Sequence, residues 1–246
     1  MNKSTRYKVP GTPCLPRKLK FVLSYDGTEF SGWQRQKNAR TVQQTFEEAL
    51  RQLTGRKVPV TGAGRTDSGV HALGQVAHAT ISTRLTLPKL HKALNSILPE
   101  DVVVRSVSIA PARFHARYSA KRKWYQYRIW NDPVRPMFGR GQAYYLTEPL
   151  DLAAMRRAAR KLTGRRDFKA FASSGSQPVR TTVRTLQLKI GRKGPLITLD
   201  FKANGFLYHM ARRITGHLLE IGKGKPPPPI APTAPARGLC LIEVRY

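Results

Sequence analysis

The sequence predicts an α+β fold with a mainly antiparallel sheet. Three observations predict it. Runs of alternating apolar and polar residues recur at strand length. Segments with apolar residues at helical spacing interrupt them. The two kinds of segment do not alternate regularly, as a doubly wound parallel sheet requires. The 246 residues suit one large domain or two modest ones, and 40% hydrophobic residues allow a packed core.

Residues 1–18 are basic, carry three prolines, and read as a solvated tail. Leu19, Phe21, Leu23 and Tyr25 alternate with Lys20, Val22 and Ser24, so residues 19–25 read as a strand that Asp26-Gly27 turns. Thr41-Val42-Gln43-Gln44 has the form of a capping box. Behind it Val42, Phe46, Ala49, Leu50 and Leu53 make one helical face, closed by Gly55. Residues 57–63 and 73–82 read as strands. Thr86 and Pro88 open a second helix with Leu90, Ala93, Leu94 and Ile97 on its buried side, and residues 102–109 give another strand. A boundary near Pro111–Arg117 separates an N-terminal α/β domain, residues 19–112, from a C-terminal one, residues 113–246. In the latter, residues 122–130 alternate as a strand. Asp151 caps a helix running to Thr163, with Gly164 past its end. Residues 184–190 and 195–202 form a hairpin around Gly191–Gly194, a helix runs from about Leu207 to Ile221, and residues 239–245 are a last strand. Pro226-Pro227-Pro228-Pro229 is a stiff connector.

Charge names the partner class. Lys and Arg number 44 against 14 Asp and Glu, a net charge of +30. Uncompensated positive charge repels itself and is tolerated mainly where a polyanion is met. Nucleic acid leads, because each phosphate contact releases counterions. A membrane fits poorly, since no segment has 18 consecutive apolar residues. The two cysteines, Cys14 and Cys240, imply no disulfide framework, so a cytoplasmic setting is the default.

Gly62-Ala63-Gly64-Arg65-Thr66-Asp67-Ser68-Gly69-Val70-His71-Ala72-Leu73-Gly74-Gln75 holds four glycines and the only acidic residue between Glu48 and Glu100. Such a loop turns tightly or admits a ligand closely. Asp67 then reads in two ways: as an Arg–Asp pair pinning the turn, or as a single-carboxylate active site facing a polyanion. Arg65 lies on the same face as Asp67 if the stretch is extended. A paired guanidinium favours the charged carboxylate, which suits a nucleophile or electrostatic stabiliser more than a general acid. Metal chemistry needs converging hard ligands, and the acids here are scattered with no Asp-x-Asp; a phosphate-binding P-loop is also missing. Neither metal nor cofactor is expected.

Two further clusters stand out. In Arg122–Trp130, Lys123, Tyr125, Tyr127 and Ile129 share one strand face, and Trp124, Gln126, Arg128 and Trp130 the other. Interleaved aromatics and cations suit base stacking, although most of one row is expected to be core. After Asn204-Gly205-Phe206, the residues Leu207, Met210, Ile214, Leu218 and Ile221 make a buried stripe. Arg212 or Arg213 can reach an anionic site from beside it. Arg156, Arg157, Arg160, Lys161, Arg165 and Arg166 read as phosphate contacts without sequence preference.

Gly62–Ala72 resembles the signature of the TruA-type tRNA pseudouridine synthases. Tyr25–Gln36 resembles that family's opening motif. Phe114-His115-Ala116-Arg117 with Lys123–Tyr127 resembles its middle one. Asn204–Arg212 and Ala234–Leu239 resemble its late ones, all in order. The resemblance implies isomerisation of uridine to pseudouridine at positions 38 to 40 of the tRNA anticodon stem-loop, without cofactor. It implies Asp67 as the catalytic aspartate, Tyr125 stacked on the target base, and Arg65 and Arg212 around the aspartate and the flipped nucleotide. It also implies a homodimer, and two α/β domains on a shared antiparallel sheet with the active-site cleft between them. One departure is visible: between Gly222 and Ala234, where the family carries a longer segment with a helix, this chain has little beyond Lys223-Gly224-Lys225 and the prolines. A non-catalytic RNA-binding paralogue fits the basicity and aromatics equally. A metal nuclease would be silenced by EDTA.

Overall fold

The structure, a computed structural model, describes residues 15–174 and 181–246. Residues 1–14 of the tail, Cys14 included, lie outside the described residues. The first half runs β1 (Arg17–Tyr25), α1 (Val42–Thr54), β2 (Thr61–Gly62), β3 (His71–Ile81), α2 (Leu87–Ile97) and β4 (Val102–Ile109). The second runs β5 (Arg122–Asn131), β6 (Tyr144–Leu146), α3 (Leu152–Leu162), β7 (Gly164–Asp167), β8 (Val183–Lys193), β9 (Leu196–Ala203), α4 (Met210–Gly222) and β10 (Leu239–Arg245). One sheet joins them in the order β4-β1-β3-β10-β5-β9-β8-β7, with β2 beside β3 and β6 beside β5. Pairings are antiparallel except β3–β10 and β5–β6. The class is therefore α+β, mainly antiparallel as the patterning predicts.

Register decides which side chains share a face. Tyr125 lies opposite Leu241, Leu241 opposite Ala72, and Ala72 opposite Tyr25. The four side chains therefore point to one side of the sheet. On that side lie the buried rows Leu19, Phe21, Leu23 of β1 and Tyr127, Ile129 of β5. Phe21 meets Phe46 of α1 edge-on, with ring centroids 5.1 Å apart. Helices α1 and α2 pack together over the first half; α3 and α4 do so over the second, α3 on β8 and α4 on β5. The alternate row of β5, Trp124, Gln126, Arg128 and Trp130, is half-buried, so one aromatic row is core, as expected.

Several boundaries differ from the sequence reading. Strand β1 begins at Arg17, taking two residues from the predicted tail, since Arg17 and Lys18 pair with Ile81 and Thr80. The predicted strand 57–63 shrinks to Thr61–Gly62. Val60 N–H donates to Glu47 Oε1 at 2.9 Å and Gln43 Nε2 donates to Val60 O at 2.9 Å, so side chains of α1 satisfy this backbone in place of a ladder. Helix α4 starts at Met210 rather than Leu207, because His209 sits at φ 59°. Strands β6 and β7 carry no alternation that would reveal them. The capping box of α1 is half made: Thr41 Oγ1 accepts from Gln44 N at 3.4 Å, but Gln44 turns to Glu48.

Candidate active site

The glycine-rich loop between β2 and β3 is held from below and from the side. Gln75, fully buried, donates to Gly64 O at 2.9 Å and to Tyr25 Oη at 3.4 Å, and Tyr25 Oη lies 2.9 Å from Thr66 Oγ1. Lys123 Nζ on β5 donates to Ala63 O at 2.7 Å. The segment Tyr25–Gln36 wraps the other side: Trp33 N–H donates to Thr66 O at 3.1 Å and Gly69 N–H to Phe30 O at 3.2 Å. Close approach explains two glycines. A Cβ on Gly27 would stand 2.1 Å from Val70 O, and one on Gly32, at φ 88°, would stand 2.6 Å from Thr66 O. His71 ties this bundle to the second half. Its Nδ1 accepts from Gly27 N–H at 3.0 Å, and its Nε2 lies 3.1 Å from Gly141 O and 3.2 Å from Arg237 O.

Asp67 emerges from this cradle with its side chain 22% exposed. Arg212 Nη1 donates to Asp67 Oδ2 at 2.9 Å, an ion pair joining the two halves across 145 residues of sequence. Arg212 is itself clamped, since its Nε donates to Ala234 O at 2.8 Å while Ala234 N–H donates to Arg212 O at 3.1 Å. His209 Nε2 also approaches Asp67 Oδ2, at 3.5 Å. Both interactions fall on Oδ2, so Oδ1 accepts no hydrogen bond from the described residues. The neighbouring Arg213 goes instead to carbonyls, those of Ala231 and Ala172.

The other predicted residues divide. Tyr125 joins the site: its ring meets Phe206 edge-on at 4.8 Å between centroids. Burial, with the nearby Tyr25 and Asp67, pushes its phenol far above the usual range, so Tyr125 offers a neutral ring and hydroxyl. Arg65 does not pair with Asp67. The exposed Arg65 instead donates through Nε to Gln34 Oε1 at 3.2 Å. Sequence reasoning gave no role to three residues that the fold puts beside the aspartate or under its loop: His209, Gln75 and Lys123. Gln75 and Lys123 had a readable signal, a polar residue at an inward position of a strand. Burial, with Arg117 nearby, lowers the Lys123 ammonium to about 8.

The arrangement is one carboxylate fixed by an arginine, beside an aromatic wall, in a very basic protein. The family model for tRNA pseudouridine synthase matches residues 22–119 and 158–231. Among curated relatives, tRNA pseudouridine synthase A of Moorella thermoacetica is 45% identical over 251 residues, covering 95% of this chain and all of the relative. The tRNA pseudouridine synthase A of Acetivibrio thermocellus is 42% identical over 94% of this chain and all of the relative. The chain belongs to the tRNA pseudouridine synthase family. Its connector after α4 reaches this arrangement. Gly216 admits it so closely that a Cβ there would stand 2.0 Å from Pro232 O, and the connector's Ala234 carbonyl then holds Arg212.

Proposed function

We propose that this protein is a tRNA pseudouridine synthase that isomerises uridines 38 to 40 of the anticodon stem-loop, with Asp67 as its catalytic residue. The observation that carries the reading is the Asp67–Arg212 ion pair beside Tyr125. It leaves one oxygen of a well-fixed carboxylate free for a substrate atom. In the reaction the N1–C1′ bond of uridine breaks, the uracil turns, and C5 bonds to C1′. C5 then loses its proton and N1 ends protonated. Asp67 acts either by attack on C1′ or by taking the C2′ proton to give a glycal, and deuterium at C2′ slows only the second route. Tyr125 stacks on the extruded base, whose removal from the helix costs a few kcal/mol. Arg65, free of Asp67 and exposed, meets the flipped nucleotide or its phosphate. No cofactor enters these steps.

The thin joint of the sheet supports reading residues 19–112 and 113–246 as two domains with the cleft between them: β3 and β10 pair through only Cys240–His71 and Leu241–Ala72. On the sheet face away from Tyr125, Leu73 and Val103 are 51% and 39% exposed beside a cavity of about 190 Å³ lined also by Ser24, Arg128 and Cys240. That face suits a homodimer. The whole reading assigns the protein to the cytoplasm, where its tRNA is found.

The test uses an anticodon stem-loop transcript with tritium at uridine C5. Wild type releases tritium to water. Asp67→Asn binds the transcript as well or better and releases none. A folded, RNA-binding wild type that releases no tritium instead favours the non-catalytic paralogue.

A further inference from the structure

His209 is the only non-glycine among the described residues with a positive φ, 59° with ψ 2°. Asparagine or glycine would take that conformation more readily. It stands at the N-cap of α4, where Ser, Thr, Asp or Asn would cap the free N–H groups, yet its side chain makes no cap bond. Neither backbone nor helix therefore accounts for an imidazole here. Its nitrogens go elsewhere: Nδ1 lies 3.0 Å from Ser173 Oγ, and Nε2 3.5 Å from Asp67 Oδ2. With Ser173 donating to Nδ1, the ring proton sits on Nε2, the nitrogen that faces the carboxylate. The Tyr208 ring stacks on the imidazole at 3.8 Å between centroids. Ser173 is fixed in turn, as its N–H donates to Tyr208 O at 3.2 Å.

We infer that His209 is a positioning residue for the isomerisation: its neutral imidazole, oriented by Ser173, holds Asp67 Oδ2 from a second side and so aims Oδ1 at the sugar. Arg212 alone leaves the carboxylate free to rotate about one ion pair; an imidazole edge 3.5 Å from the same oxygen restricts that rotation. The groups facing the imidazole agree with a neutral ring. Burial pushes its pKa below the usual value; Asp67 pulls it up, and Arg212 and Arg213 push it down again. Strain at a site residue that a simpler side chain would relieve is the pattern expected where geometry serves function.

The inference rests on the proposed reaction at Asp67. Its test is steady-state tritium release by wild type, Asp67→Ala, His209→Asn, His209→Gly and His209→Gln, with thermal melts of each. His209→Asn suits the backbone but cannot reach Asp67. It should melt at or above the wild-type temperature, keep KM within about threefold, and lose between about 10- and 100-fold in kcat. His209→Gln, whose amide reaches as far as Nε2, should recover most of that loss. His209→Gly repeats the comparison if the asparagine variant folds poorly. Wild-type kcat in the asparagine or glycine variant overturns the inference while the reaction at Asp67 stands. So does a loss in kcat that glutamine does not recover. No release from wild type overturns both.

Discussion

Arg212 makes two bonds that only a guanidinium can make together, Nη1 to Asp67 and Nε to Ala234 O. A lysine gathers its three N–H donors on one terminal nitrogen, with nothing in the place of Nε, and must abandon one of them. Arg212→Lys should therefore lower kcat about 100-fold with little loss of RNA affinity, read by single-turnover tritium release; equal losses in both would assign Arg212 to RNA binding instead. Gly27 is critical for another reason. Its missing Cβ makes room for Val70 O, a backbone atom that cannot step aside. Gly27→Ala should cost about 1–3 kcal/mol or more in denaturant unfolding, and an unchanged midpoint would show that the loop can yield. At this scale the sequence was partly legible. A lone aspartate among glycines marked Asp67 without any structure. The partner it chose was not legible from spacing, because Arg65 sits two residues away and Arg212 sits 145 away. Local order favoured the wrong arginine, and the tertiary fold supplied the other.

Lys123 shows what a strand contributes beyond its apolar row. It reaches beneath the glycine-rich loop from β5 to the Ala63 carbonyl, and a Cβ on Gly64 would stand 2.7 Å from its Nζ. Its pKa falls from an ordinary 10.5 to about 8 in the folded protein. Below pH 8 the ammonium is charged in both states, and its burial opposes folding in full. As pH rises from about 8 to 10.5, the folded state sheds the proton first and the penalty fades, by on the order of 3 kcal/mol. The melting temperature of wild type relative to Lys123→Met should therefore climb between pH 7 and 10. A constant difference would mean that the site stays wet enough to keep a normal amine. Elements with strong periodicity were readable: α1, α2, α3, β1 and β5 lie within a few residues of expectation. Short ones were not. Strands β6 and β7 have three and four residues, too few to display a period, and they exist because a neighbouring strand presents an open edge. The start of α4 escaped because apolar spacing continues through Leu207 while the backbone at His209 does not.

Over the whole molecule, charge is distributed to suit a long anionic partner. Arg156, Arg157, Arg160 and Lys161 on α3 are exposed, as are Arg165 and Arg166 at its exit. If they meet phosphates, replacing the first four with alanine should lower the slope of log affinity against log salt by about 1 for each phosphate no longer neutralised. Fluorescence anisotropy with the stem-loop between about 50 and 300 mM salt would measure it, and an unchanged slope would put the RNA on another face. No helix among the described residues is long and apolar enough to cross a membrane. The sheet's connectivity has one more consequence. Strand β10 follows every other described element, yet it lies between β3 and β5, at the seam where Asp67 of one half meets Arg212 and Tyr125 of the other. β10 thus works as a clasp: anything that frees residues 239–245 opens the sheet between the strand that follows Asp67 and the strand that carries Tyr125.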